Sequence, residues 1–392
     1  MFRQIAVLTA ALGLLLSAGA SQAAVGSEPP HQEGDYVIPF FKFGTGEVME
    51  KLRMHYTTLG APIRDKKGHV TNAVLVIHGT GGTGRQFLRP QFANVLMVPG
   101  GLLDPAKYYI ILPDGIGHGK SSKPSDGLRT RFPHYDYDDM VEAEYRLLTE
   151  GLKVDHLRVM MGTSLGCMNA FVMGETHPDF MDGLMPMACE PSALAGRNRL
   201  WRKFLIDAIL ADPDWDEGNY QSEPQGALRE AAALLSIAGS APIQMQKSMP
   251  TRAEVDAYAE DYVADELASL DANDLLYQVS ASRNYDASAG LSKITAKVMW
   301  VNSADDFVNP PSLGLSERFA PMIRNGSYVL IPESEMSHGH SSHTWAMLWQ
   351  DKLKELLEAT APPPPPPVVK AKPVKRRVRV RHETPESPDA GH

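Results

Sequence analysis

Eight short apolar runs constrain this chain more than any single motif. They occupy residues 36–40, 52–58, 73–77, 108–112, 157–161, 184–188, 297–302 and 327–331. Several are continuous rather than alternating in polarity, the pattern of strands covered on both faces. Helical patterns at 139–150, 165–177 and 344–357 separate the later runs. Strand–helix alternation predicts an α/β fold with a mostly parallel sheet and right-handed crossovers. The first two runs lie close enough to form an antiparallel start. One connection breaks the rhythm. Between residues 192 and 291 no strong strand pattern occurs, and helical patterns cover 200–210, 226–237, 252–270 and 273–283. That is far too long for a crossover, so residues 192–291 read as a helical cap inserted between two parts of the sheet domain, 25–191 and 292–360.

The two ends have a different character. Arg3 is the sole charged side chain before Glu28, an apolar run follows at 5–18, and small residues then flank Gln22. Residues 1–24 read as a secretory signal peptide, with export to the periplasm or beyond. An uncleaved anchor is the alternative, but the run is shorter than the ~20 residues that a spanning helix needs. After Ala361 come six prolines, seven Lys or Arg residues and a polar end. Residues 361–392 read as a stiff spacer leading to a disordered cationic tail. Such a tail is either attracted weakly to an anionic surface or merely solvated. The whole chain carries a formal charge of −9, so its body is acidic, which argues against a nucleic-acid partner. Two cysteines exclude a disulfide scaffold or a cysteine-rich metal site. Nothing in the sequence sets the oligomeric state.

The run at 157–161 leads directly into Gly162-Thr163-Ser164-Leu165-Gly166 and then a helical pattern. This is G-x-S-x-G in the strand–turn–helix context that gives the pattern meaning. Small residues on both sides allow a turn tight enough to expose the serine hydroxyl. A serine nucleophile needs a base and an acid, which in this arrangement follow in the order Asp or Glu, then His. Asp305 and Asp306 follow the strand at 297–302. Adjacent residues point differently, so one at most faces a histidine; Asp306 is the candidate and Asp305 the alternative. After the last strand, His338, His340 and His343 share one loop. His340, preceded by glycine, is the candidate base. Three histidines in six residues also admit a metal reading, which no carboxylate–histidine helix spacing supports; no metal and no cofactor are expected. The glycine-dense loop His78–Gly84 follows the strand at 73–77, and the backbone N–H groups of Thr80 and Leu165 are the candidate oxyanion hole. Asp114, His118 and Ser121 read as structural or pocket-lining. Arg197 and Arg199 could meet a substrate carboxylate, Arg197 being the candidate, with a solvated face as the alternative. Cys167 and Cys189 read as small buried residues; a disulfide is the alternative that export permits.

These residues in this order resemble the α/β-hydrolase superfamily. The segments 36–43, 52–60, 113–119, 135–139, 196–202 and 212–220 narrow the likeness to its homoserine O-acetyltransferase-like branch, over roughly residues 36–357. The resemblance implies an eight-stranded sheet with helices on both faces and an inserted helical cap, no metal, and a Ser164–His340–Asp306 triad. The chain departs from the branch at the serine turn, where Leu165 stands in place of the usual methionine. It also lacks Trp-Leu-Phe after the acid. Acetyl-CoA is a cytoplasmic metabolite, so the expectation for an exported protein is hydrolysis of a small-molecule carboxylic ester through an acyl-serine. Acyl transfer with the same triad is the alternative, and a non-catalytic binding module on the same fold is a third reading.

Overall fold

The computed structural model describes residues 28–361; the expected signal peptide and residues 362–392 of the tail lie outside them. Eight strands form one sheet: β1 (Gln32–Lys42), β2 (Val48–Leu59), β3 (Ala73–Ile77), β4 (Tyr109–Pro113), β5 (Leu157–Thr163), β6 (Met181–Met187), β7 (Lys297–Ser303) and β8 (Gly326–Ile331). Their spatial order is β1-β2-β4-β3-β5-β6-β7-β8. β1 pairs antiparallel with β2, and β2 antiparallel with β4. All later pairings are parallel. β1 and β2 extend well beyond their apolar runs. β1 lies at the sheet edge and leaves alternate residues exposed, so its polar half carries no apolar signal.

The continuous apolar runs have a simple cause: successive side chains leave a strand on opposite faces, and both faces are covered. Leu75, Ile77 and Met160 point into a core with α2 (Tyr137–Arg146) and α3 (Leu165–Thr176). Val74, Val76 and Met161 point into a second core. There they meet Phe92 of α1 (Pro90–Leu96) and Leu353 and Leu356 of α10 (Gln350–Ala359). The helix expected at 344–357 therefore begins late. Residues 339–344 and 346–348 form two short 3₁₀ turns, and Trp349, at φ −142°, interrupts the path. Its ring is buried against Phe92, and its Nε1–H donates to the Ser342 carbonyl. The chain after β8 thus stays a packed loop for longer than hydrophobic periodicity alone suggests.

Residues 192–291 contain five α-helices and no strand: α4 (Gly196–Ala211), α5 (Gln225–Ala238), α6 (Pro242–Ser248), α7 (Arg252–Leu267) and α8 (Ala272–Ser280). They bury a small core of their own around Trp201, Leu205, Ile209, Leu228, Leu275 and Val279. A ninth helix in chain order, α9 (Leu315–Phe319), precedes β8. The chain runs from β3 out to β4 and then back past β3 to β5, so crossovers diverge on either side of β3. At such a switch point the loops leaving the strand ends open a crevice. The loop after β3 and the turn after β5 meet there.

Candidate active site

The serine turn is dictated by sterics. Ser164 adopts φ 55° and ψ −109°, a backbone conformation that costs a non-glycine residue about 1–3 kcal/mol. It persists because its surroundings leave no alternative. A Cβ on Gly162 would lie 1.9 Å from the Gly166 carbonyl oxygen, and one on Gly166 would lie 2.4 Å from that of Ile77. The Ser164 N–H donates to Met187 of β6 at 2.9 Å, and the Gly166 N–H donates to His78 at 3.0 Å. The turn is thereby pinned to both neighbouring strands, with Ser164 at the start of α3.

Ser164, His340 and Asp306 meet across the ends of three strands. The Ser164 hydroxyl lies 2.9 Å from His340 Nε2. His340 Nδ1 lies 2.9 and 3.1 Å from the two Asp306 oxygens. A carboxylate only accepts, so Nδ1 carries the proton and Nε2 is left to receive one from the serine. Asp306 is 2% exposed. It also accepts from the Val308 N–H at 2.7 Å, the Asn309 N–H at 3.1 Å and Asn309 Nδ2 at 3.2 Å. Burial pushes its carboxyl up, but His340 and the bonds from Asn309 more than offset this, and the net displacement is downward. The group that faces the imidazole is therefore held as an anion.

Asp305 turns the other way. Its oxygens accept from Ser303 Oγ at 2.5 Å, Ser337 Oγ at 2.8 Å and the Gly339 N–H at 2.9 Å. The other two histidines of the loop are also accounted for. His338 stacks on Trp345 with ring centroids 3.8 Å apart. The half-buried His343 donates from Nδ1 to the His340 carbonyl; desolvation, then the neighbouring His340, pushes it down to about 3. Among the described residues no group of three or more His, Cys, Asp or Glu side chains is placed to hold a metal ion.

The loop His78–Gly84 is fixed from below. His78 Nδ1 donates to the Gly79 carbonyl at 2.8 Å, and Nε2 accepts from the Gly115 N–H at 2.9 Å. Burial lowers its pKa, which keeps the ring neutral. Asp114 clasps the Gly84 N–H at 2.8 Å and the Lys120 N–H at 2.9 Å. Asp114 and His78 are thus structural, and they hold Gly79 close enough that a Cβ there would meet that of Ser164 at 3.2 Å. Leu165 is the first residue of α3, so its N–H has no intrahelical acceptor. Thr80 and Ser164 line the same cavity of about 590 Å³, with His340 and His343. The cavity is roofed by the inserted helices, through Trp201, Arg202, Tyr262 and Leu275. Its lining mixes cations (Arg89, Lys123, Arg202) with acids (Glu266, Asp271, Asp274).

Two sequence expectations need correction. Arg197 is not a lining residue of this cavity; it packs its guanidinium 3.8 Å from the Phe307 ring centroid and donates to the Phe307 carbonyl. It ties the start of α4 to the turn that carries Asp306. Of the arginines of α4, Arg202 is the one that lines the cavity. Cys167 and Cys189 are buried, as expected, but they are also bonded to each other. β5 and β6 are neighbours in the sheet, which brings the start of α3 beside the end of β6; sequence spacing carries no trace of that adjacency. Glu190 was not anticipated either. It lies buried beside the disulfide, accepts from Asn302 Nδ2 at 3.0 Å, and is pushed up to about 8 by burial and then by the charge of Asp306.

The comparisons with known proteins agree with this fold. The family model for the alpha/beta hydrolase fold matches residues 72–334. A probable acyltransferase of Methanothermobacter thermautotrophicus is 28% identical over 304 residues, covering 77% of this chain and 91% of that protein. The homoserine O-acetyltransferase of Thermobifida fusca is 26% identical over 331 residues, covering 75% and 85%. In structure, an acetylester hydrolase from Corynebacterium glutamicum superposes with a TM-score of 0.73 at 22% identity, over 83% of this chain and 96% of that one. With the sheet order, the strained serine turn and the family match in agreement, the chain belongs to the α/β-hydrolase fold family, as a hydrolase or acyltransferase enzyme similar to the homoserine O-acetyltransferase-like branch.

Proposed function

We propose that this protein is an exported carboxylic-ester hydrolase that works through an acyl-serine on Ser164. The observation that carries the reading is the unbroken relay from Ser164 Oγ through His340 to Asp306, each link at 2.9 Å. His340 Nε2 takes the hydroxyl proton as Ser164 attacks the ester carbonyl, and Asp306 steadies the imidazolium that forms. The Thr80 and Leu165 N–H groups receive the negative charge that develops on the carbonyl oxygen; one such donor is worth about 10²–10³ in rate. The imidazolium then returns its proton to the departing alcohol. Water, deprotonated by His340, attacks the acyl-serine and releases the acid, restoring the hydroxyl. The amino-terminal signal pattern supports export, and a disulfide suits an oxidising compartment.

Acyl transfer is the second reading. The two relatives named as acyltransferases support it, and it differs only in which nucleophile attacks the acyl-serine. Turnover of p-nitrophenyl acetate by the wild type and by Ser164→Ala tests the serine step. Loss of turnover with loss of acyl-serine by intact mass supports it; equal rates remove Ser164 from the reaction. Acetyl-CoA with homoserine then separates the two readings. An O-acetyl product favours transfer, and free acetate from simple esters alone favours hydrolysis.

A further inference from the structure

We infer that Asp305 is a positioning residue for His340: it holds the backbone of the histidine loop while its neighbour Asp306 holds the ring. The inference rests on the reading of His340 as the base. Asp305 and Asp306 lie in the turn that follows β7, where the Asp306 N–H donates back to the Ser303 carbonyl at 3.2 Å. That turn sends two carboxylates to two parts of one loop. Asp305 is locked at the end of β7 by the Ser303 hydroxyl on one oxygen. Its other oxygen accepts from Ser337 Oγ at 2.8 Å and from the Gly339 N–H at 2.9 Å. Gly339 immediately precedes His340, so the carboxylate fixes the His338–Gly339 peptide, one residue before the Cα that carries the imidazole.

The loop has few other constraints on that side. From the end of β8 to Gly339 it has no regular structure among the described residues, and its outer contacts are with α6. Gln244 Nε2 donates to the Ser334 carbonyl at 2.9 Å, and Lys247 pairs with Glu335 at 2.9 Å. Gly339 has φ +55° and faces the Ser240 carbonyl so closely that a Cβ would lie 2.4 Å from it. The histidine loop is thus held by the inserted helices, by its own His338 N–H bond to Ser342 Oγ at 2.8 Å, and at the sheet edge by Asp305 on the backbone and Asp306 on the ring. Releasing the carboxylate of Asp305 frees the His338–Gly339 peptide, and with it the backbone leading into His340, to shift; a displacement of about 1 Å in a catalytic group costs about 10²-fold in rate.

What Asp305 supplies in this role is accepting oxygens rather than charge. An asparagine can reproduce the contacts: its oxygen accepts from Gly339 and Ser337, and its amide donates to Ser303. The test is steady-state kinetics on p-nitrophenyl acetate with Asp305→Ala, Asp305→Asn, Ser337→Ala and the double variant Asp305→Ala/Ser337→Ala. The expected result is a kcat lowered about 10²-fold in Asp305→Ala with KM little changed, recovered in large part by Asp305→Asn. Ser337→Ala lowers kcat less and adds nothing in the Asp305→Ala background, because the two act through one contact. If Asp305→Ala does not fold, Asp305→Asn and Ser337→Ala carry the test between them. Wild-type kcat in Asp305→Ala, additive losses in the double variant, or an Asp305→Asn as slow as the alanine would each overturn the inference. Ser164→Ala separates its failure from that of the underlying reading: turnover surviving without the serine hydroxyl defeats both, whereas a dead Ser164→Ala beside an unimpaired Asp305→Ala defeats the positioning role alone.

Discussion

Cys167, three residues after Ser164, is covalently bonded to Cys189, whose carbonyl accepts from Trp300 Nε1 at 3.0 Å and Asn302 Nδ2 at 3.3 Å. The preceding carbonyl, that of Ala188, accepts from Asn309 Nδ2 at 2.9 Å, and the same amide reaches Asp306. One short segment after β6 therefore ties the nucleophile helix to the acid turn. The disulfide closes a loop spanning 22 residues, and a closure of that size is worth about 3 kcal/mol. The double variant Cys167→Ala/Cys189→Ala is expected to unfold at lower urea concentration by that margin. Both sulfurs are buried, so thiol reagents should label the reduced protein only after it unfolds. Equilibrium unfolding with and without reductant checks both outcomes.

The serine turn tolerates no side chain at its flanks. A methyl group on Gly166 would sit 2.4 Å from the Ile77 carbonyl oxygen and 2.8 Å from that of His78. Those atoms are backbone and cannot swing aside. Gly166→Ala is therefore expected to destabilise the fold by more than about 3 kcal/mol, at the upper end for single substitutions, and to abolish labelling of Ser164 by a fluorophosphonate. Soluble yield, urea midpoint and probe labelling together report the effect.

Much of the arrangement of this candidate site is legible in the sequence, and the reasons are local. The glycines around Ser164 act within five residues, and the strand before them and helix after them are strongly patterned. The order serine, aspartate, histidine follows the order of the strands. Asp306 and His340 could be named because each follows a strand end. What was not legible depends on which strands are neighbours and which way a loop residue turns. Cys167 and Cys189 pair because β5 lies next to β6. Arg197 faces Phe307 because α4 starts above the acid turn. The direction of Asp305 is set by Ser303, Ser337 and Gly339, which come from two separate segments. Short helices such as α1, α6 and α9 have too few residues for periodicity to show.

Asp306 is expected to tolerate no neutral replacement. In Asp306→Asn the amide would present N–H groups or a weaker acceptor to His340 Nδ1, and the tautomer with a free Nε2 would lose its support. A change of this kind costs about 10⁴ in kcat. The contrast with Asp305→Asn is the useful part, since the two positions differ by one residue and the two substitutions by nothing. Pre-steady-state acylation rates with p-nitrophenyl acetate measure it directly.

Arg197 stands on the surface over Phe307 rather than in the cavity, and an exposed cation–π pair is worth about 0.5–1 kcal/mol. Arg197→Ala is expected to lower the urea midpoint slightly and to leave the preference between a neutral ester and one bearing a carboxylate unchanged. A selective loss of kcat/KM for the anionic ester would return Arg197 to the substrate site.

Glu190 gives the protein a stability that declines toward alkaline pH. Its carboxyl is raised from an ordinary value of 4.5 to about 8, by burial and then by Asp306. In the unfolded chain it ionises near 4.5, so between that pH and about 8 the folded state holds a proton that the unfolded state has lost. Stability from this group is complete below 4.5 and is lost as pH rises through 8. Glu144, buried and likewise pushed up to about 8 by burial, acts in the same direction. Asp306 acts in the opposite sense, because its depressed pKa removes stability as pH falls through the folded value. Glu190→Gln keeps the acceptor for Asn302 and cannot ionise. Urea midpoints at pH 6 and pH 9 should therefore converge more closely in Glu190→Gln than in the wild type, with Glu190→Gln the more stable of the two at pH 9. A variant whose midpoint falls between those pH values as steeply as that of the wild type would mean that Glu190 is already ionised in the folded protein at pH 6.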